Sequence, residues 1–320
     1  MIGASAAARW GVPVGVIAAL ALAQFALPAY HHTNAARIMV LATFAIGYNV
    51  TFGYAGRLSL GHAMFFAAGL YGTGMTAHFL DFPAPAAFVV GAMGGFALAF
   101  VVGLIALRTR GVSFLIVTLM FAQAVYLTTL YFNNITRGDE GFVLAEASRR
   151  LSFGATELAL NDPDVKYNGA LLLFALCYVL SIVLLHSPIG RVLIAVRENE
   201  PRAQMLGYNT FGYKLLALTI SGALSGMSGA AYALLFAYVG STFASTQYSI
   251  YPLLWVLLGG AGTPIGPLIG TALMFYLVDF SSGFTSSYMI AVGLILVVLV
   301  IAFPKGIIGT IRHGWSGVRP

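Results

Sequence analysis

Apolar runs about 20 residues long, separated by short polar links, recur along the whole sequence, and nothing else in it restricts folding as strongly. Such a run matches the hydrocarbon thickness of a bilayer when helical. In that medium backbone groups find no water, so a spanning run must satisfy its own N–H and C=O groups as a helix. Only 8% of the 320 residues are charged, against ~25% in soluble domains. The expected class is an all-α integral membrane protein with about ten transmembrane helices (eight to ten). The apolar runs cover residues 10–30, 38–52, 53–80, 86–107, 112–132, 169–186, 215–239, 251–280 and 289–303. The run at 251–280 is broken by GGAGTPIGP and reads as two spans with a tight turn or as one broken or re-entrant element. The first run exceeds the ~7–15 apolar residues of a signal peptide and is read as a retained helix. No linker or shift in composition divides the chain, so residues 1–320 are expected to form one domain.

Charge gives the orientation. With ten spans and a cytoplasmic start, Arg9, Arg57, Arg108, Arg110, Arg191, Arg197, Arg202, Lys214, Lys305, Arg312 and Arg319 fall on one side, and Arg37, Arg137, Arg149, Arg150 and Lys166 on the other. Cytoplasmic loops collect Lys and Arg, so the larger set, with both termini, is expected inside. The segment 133–168 then becomes an outer loop, and 187–214 a cytoplasmic one.

Several chemistries are missing. Lys166, Lys214 and Lys305 are followed by Tyr, Leu and Gly, so no G-x-x-x-x-G-K-[ST] phosphate loop exists. The chain is expected to be no ATPase and to hold no cofactor. The six histidines make no H-E-x-x-H, and the single cysteine, Cys177, lies in an apolar run as a small core residue. Ser59 and His62 suggest a nucleophile and a base, but no acid accompanies them. Of the acids, only Asp81 and Asp279 lie near spans, both close to outer ends. An ion-driven transporter carries carboxylates nearer the midplane, which argues against the alternative of a stand-alone secondary transporter or channel. The pattern is that of a translocation path lacking its own energy source.

Three stretches carry the candidate sites. Residues 187–214, SPIGRVLIAVRENEPRAQMLGYNTFGYK, form a polar island between apolar runs. Inside it Asn199 can cap a short helix, Pro201 suits its first turn, and Gly207 can end it in the left-handed conformation. The apolar Met205, Leu206, Tyr208 and Phe211 exceed what a solvated loop needs, and suit docking into a groove on a partner. Residues 53–75 are rich in glycine and contain Gly53, Gly56, Arg57, Ser59, Gly61 and His62. They read as a discontinuous helix on a translocation path, or as a turn with Arg57 as a positive anchor before a packing helix. In SGALSGMSGAAY, Gly222 and Gly226 form G-x-x-x-G, a close-packing face for helices in lipid.

These residues resemble a known family. Residues 197–207, with Arg197 and with Glu200, Ala203 and Gly207 in E-x-x-A-x-x-x-G spacing, resemble the cytoplasmic ATPase-coupling loop of ABC importer permeases. GRLSLGHAMFFAAGLY and LLGGAGTPIGPLIG are similar to two further signatures of the branched-chain amino-acid ABC transporter permeases. The resemblance covers most of 49–305 and fits the second of that system's two permease subunits. It implies a heterodimer with another permease, two cytoplasmic ATP-binding subunits that bind and hydrolyse ATP, a periplasmic solute-binding protein, and the bacterial inner membrane. At Thr136-Arg-Gly-Asp-Glu-Gly141 the chain departs from the family's T-G-G-x-x-G. The solute stays open among branched-chain or other amino acids, urea, short amides and aromatic acids.

Overall fold

The computed structural model describes residues 6–153, 156–283, 288–303 and 306–315. Lys305, Arg319 and both chain ends lie outside these, as do the side chains of Arg9 and Arg312. The helices are α1 (Ala6–Ala23), α2 (Ala29–Asn49), α3 (His62–Phe79), α4 (Ala84–Ala106), α5 (Val112–Tyr131), α6 (Asn133–Thr136), α7 (Pro163–His186), α8 (Pro188–Glu198), α9 (Glu200–Met205), α10 (Thr210–Phe236), α11 (Thr246–Gly259), α12 (Gly266–Ser282), α13 (Tyr288–Ala302) and α14 (Gly306–Trp315). Four short strands complete it: β1 (Phe142–Val143), β2 (Arg150–Phe153), β3 (Thr156–Ala159) and β4 (Tyr238–Val239).

Among the described residues, five helices are long and apolar enough to cross a membrane: Ala29–Tyr54, Ala84–Ala106, Val112–Tyr131, Pro163–His186 and Thr210–Phe236. The first is buried on nearly all sides, whereas α4 and α5 expose most of their apolar surface. The centre is therefore α2 and α10, with α4 and α5 presenting Val89, Met93, Ile116 and Met120 outward.

Glycine decides how closely the central helices approach. The buried residues of α4 include Gly91, Gly95, Ala99 and Gly103, spaced four apart on one face. A methyl placed on Gly95 would meet Gly226 Cα at 2.6 Å and Gly222 O at 2.7 Å. One placed on Gly69 of α3 would run into the Gly226 carbonyl. The G-x-x-x-G face of α10 is thus spent inside the chain, seating α3 and α4 at backbone distance.

The broken run at 251–280 is a helical hairpin. α11 and α12 are 14 and 17 residues long, roughly 21 and 26 Å at 1.5 Å per residue, and each is shorter than the ~30 Å hydrocarbon core. They pack antiparallel: a Cβ on Gly259 would strike the Gly266 carbonyl, and one on Gly270 the Trp255 carbonyl. Gly260 (φ 120°) and Gly262 (φ 78°) supply the positive φ angles of the turn.

Several boundaries differ from the sequence expectation: α1 ends at Ala23, and the polar link 31–37 is helical, inside α2. The segment 133–168 is not a plain loop: β2 and β3 form an antiparallel hairpin, and β1 pairs with β4 beyond the end of α10. It also ends early, because α7 begins at Pro163, six residues before the apolar run. Asp162 caps that helix by accepting the Asp164 N–H at 3.0 Å, with proline in the first turn. Lys214 belongs to α10, not to the polar island, because Asn209 caps the helix by accepting the Gly212 N–H at 3.1 Å. Inside the segment 133–162, buried Arg149 donates to the Leu234 and Leu235 carbonyls at 2.6 and 2.9 Å. It satisfies acceptors that the last turn of α10 leaves open.

Candidate functional site

The three sequence signatures meet at the end of the bundle where α9 lies. α2 does not stop at Asn49 but widens into a π-helical turn, Val50–Tyr54. The chain then runs irregularly until α3 begins at His62. Such a turn is commonly found at functional sites. Asn49 lies at its start: its Nδ2 donates to the Thr263 carbonyl at 3.0 Å and its Oδ1 accepts the Gly262 N–H at 2.9 Å. The break in α2 is thereby clasped to the turn of the α11–α12 hairpin.

The polar island grips the same break. Arg197, near the end of α8, donates Nη1–H to the Gly53 carbonyl at 2.6 Å, while Nε and Nη2 reach Glu198 at 3.3 and 2.8 Å. Gly56 holds a left-handed backbone (φ 67°), and a Cβ there would strike the Arg197 side chain. Glu200 is the hub. Its Oε2 takes Arg57 Nη2 at 2.5 Å, and its Oε1 takes Lys214 Nζ at 2.5 Å and the Thr210 hydroxyl at 3.2 Å. Gln204 extends this by donating to Thr210 at 3.0 Å. Burial opposes the charge on Glu200, but Lys214, Arg57 and Thr210 outweigh it and hold the carboxyl below its ordinary range.

α9 itself follows its sequence. Asn199 Oδ1 accepts the Arg202 N–H at 2.9 Å, and Pro201 lies in the first turn. Gly207 (φ 85°) closes the helix: its N–H reaches the Gln204 carbonyl at 2.9 Å, and the Tyr208 N–H reaches Ala203 at 3.2 Å. This pair of bonds is the Schellman arrangement. Ala203 is buried against Val192, Val196 and Tyr213, where only a small side chain lets α9 lie on α8. The outer side of the turn is left apolar and bare, with Met205 87%, Leu206 72% and Tyr208 41% exposed.

Behind this junction the start of α3 is held by hydroxyl groups. Thr118 of α5 accepts the Leu60 N–H at 3.2 Å, Ser59 that of Gly61 at 3.2 Å, and Ser249 of α11 that of Ala63 at 3.0 Å. A Cβ on Gly61 would meet the Thr118 carbonyl at 2.5 Å. Ser59 and His62, the suggestive pair, do not touch through their side chains. His62 is fully buried and its Nε2 lies 2.7 Å from Ser221 Oγ. Ser221 gives its only proton to the Gly47 carbonyl at 2.5 Å, so the imidazole must carry its hydrogen on Nε2. The result is a strut joining α2, α3 and α10.

The structure therefore gathers Arg197, Glu200, Gly53, Gly56 and Arg57 into one cluster, with Ala203 and Gly207 shaping α9 beside it. Ser59, Gly61 and His62 lie behind it at the start of α3. Sequence reasoning missed Asn49, Thr118, Ser221 and Ser249. Asn49 carried a signal, as an amide inside an apolar run; the hydroxyls carried none.

Residues 32–303 match the family described as branched-chain amino acid transport system / permease component. The chain belongs to that permease family. The high-affinity branched-chain amino acid transport system permease proteins LivM of Salmonella typhimurium and Escherichia coli are 30% and 29% identical to it, with 86% of this chain and 69% of each relative aligned. The probable LivM of Methanocaldococcus jannaschii is 28% identical over 48% of this chain and 44% of that protein. No solved structure gives a significant match. All the elements of the junction, from Asn49 to Thr263, lie inside the matched span of this permease.

Proposed function

We propose that this permease is one of two membrane subunits of a binding-protein-dependent ABC importer for branched-chain or related amino acids. In this reading α9 faces the cytoplasm, both termini are cytoplasmic, and about ten helical elements (eight to ten) cross the bacterial inner membrane. A second permease completes the path, and a periplasmic solute-binding protein delivers the solute at the end bearing β1–β4. Two ATP-binding subunits supply the energy, one of them gripping α9, so this chain needs neither a nucleotide site nor a cofactor.

One observation carries the reading. The base of α9 is locked to the break in α2 through Glu200, Arg57 and Lys214, while Met205, Leu206 and Tyr208 stand bare at its tip. A partner that seats the tip moves the break with it, because the ion pairs leave little slack between them. The partition of charge supports the same orientation: Arg57, Arg197, Arg202 and Lys214 gather around α9, whereas Arg37 and Lys166 lie over Phe236, at the far end of α10.

Gly207→Val tests it. No neighbouring atom lies within 4 Å of the added Cβ, so packing survives, but φ 85° becomes strained. The strain is about 1–3 kcal/mol, and the turn relaxes and carries Leu206 and Tyr208 away. The expected outcome is normal membrane insertion with ATP-driven uptake reduced roughly tenfold or more, as a loss of ~1.4 kcal/mol at the contact requires. Uptake at the wild-type rate would reject the role of α9.

A further inference from the structure

We propose that Asn34, Arg37 and Lys166 form a carboxylate-binding site for the transported solute, at the end of the bundle away from α9. Arg37 is in α2, ~12 Å along the helix from Ala29 at 1.5 Å per residue, within a segment long and apolar enough to span. Its guanidinium carbon stands 5.1 Å above the centre of the Phe236 ring, and the Lys166 ammonium stands 5.7 Å from the same ring. Arg37 Nε and Asn34 Nδ2 are buried without a hydrogen-bond partner. Three residues apart, they lie on one side of α2.

The neighbouring charges do not account for these donors. Among the described residues, neither Arg37 nor Lys166 has an acid within ion-pair distance. Asp164 lies 3.7 Å from His32 and is 85% exposed, and Asp279 accepts the Tyr30 hydroxyl on both oxygens. Arg149, another cation at this end, is committed to the Leu234 and Leu235 carbonyls. Unpaired donors beside two cations call for an anionic acceptor. A carboxylate supplies two such oxygens. From Phe236 the aromatic surface continues to Tyr232 and Phe243, with ring centres 4.8 and 4.9 Å apart, which suits an apolar side chain next to that carboxylate.

This inference rests on the importer reading and narrows its solute: amino acids and carboxylic acids fit, whereas urea and neutral amides do not. The test uses the purified full chain in phosphatidylcholine nanodiscs, with L-leucine and L-leucinamide as probes and ligand-observed NMR as the readout. Wild type is expected to bind leucine, and leucinamide roughly tenfold more weakly or worse, since the charge-assisted bonds are lost. Arg37→Gln should weaken leucine by a similar factor and Lys166→Gln by less, while Arg191→Gln, at an exposed position of α8, should match wild type. Equal binding of the amide, unaltered binding by Arg37→Gln, or no leucine binding by wild type would overturn the site. So would a response confined to added phosphatidylglycerol, which would assign the cations to lipid headgroups. A chain that imports leucine with ATP yet binds none through Arg37 rejects the site alone. One that binds leucine through Arg37 but transports it without ATP rejects the importer reading alone.

Discussion

Gly53→Val is expected to dismantle the folded chain rather than tune it. A Cβ at this position would run into Asn49 Oδ1 and meet the Gly262 nitrogen at 2.5 Å. Neither can retreat cheaply. Gly262 is backbone in the tight turn between α11 and α12, and the Asn49 amide is held between Gly262 and Thr263. Relieving the clash breaks both of those hydrogen bonds and pulls the Gly53 carbonyl from Arg197. Overpacking costs ~1–3 kcal/mol, and each buried polar group left without a partner adds about 1–3. Together these approach the whole stability of a typical fold, about 5–15 kcal/mol. Size-exclusion profiles in detergent should show the variant largely aggregated, or its melting midpoint well below that of wild type. A monodisperse protein with a wild-type midpoint would show that the three segments are not clasped there.

Glu200→Arg should leave the chain inserted and abolish coupling. The substitution puts a third cation beside Arg57 and Lys214, both of which are mostly buried, with side-chain exposures of 15% and 6%. Removing one member of a buried ion pair costs on the order of 3 kcal/mol, and reversing its sign adds repulsion. α9 is expected to swing off the break in α2 while its own cap, Asn199 to Gly207, stays intact. ATP-driven uptake should fall roughly a hundredfold if ~3 kcal/mol of coupling is lost. The double variant Glu200→Arg with Arg57→Glu restores one pair and should recover part of the uptake. Wild-type uptake by Glu200→Arg would remove Glu200 from the coupling path. No recovery in the double variant would assign the coupling to Lys214 and Thr210 instead.

What could be read in the sequence was local. The start and stop of α9 were legible at Asn199, Pro201 and Gly207, because capping acts within four or five residues. The same logic at Asp162-Pro163 placed the start of α7 in plain view, but the polar first turn, with Asp164 and Lys166, hid it outside the apolar run. The partner of Arg57 was not legible. Glu200 lies 143 residues away, and charge bias alone explained an arginine in a cytoplasmic turn just as well. The hydroxyls of Thr118, Ser221 and Ser249 were silent for a different reason. Ser and Thr in apolar helices usually bond to their own preceding turn, as Thr43 does to Met39, so composition cannot pick out those that reach across. The three signatures lie far apart in the sequence, and their convergence on one junction is a property of the fold alone.

A photo-crosslinking residue at Leu206, on the bare tip of α9, tests the central claim most directly in cells carrying the whole transporter. The account predicts a covalent adduct with an ATP-binding subunit whose yield changes when ATP is trapped on the complex, and none with the same probe at Leu294 of α13, which is 66% exposed. Adducts only with lipid, or equal adducts at both positions, would contradict it.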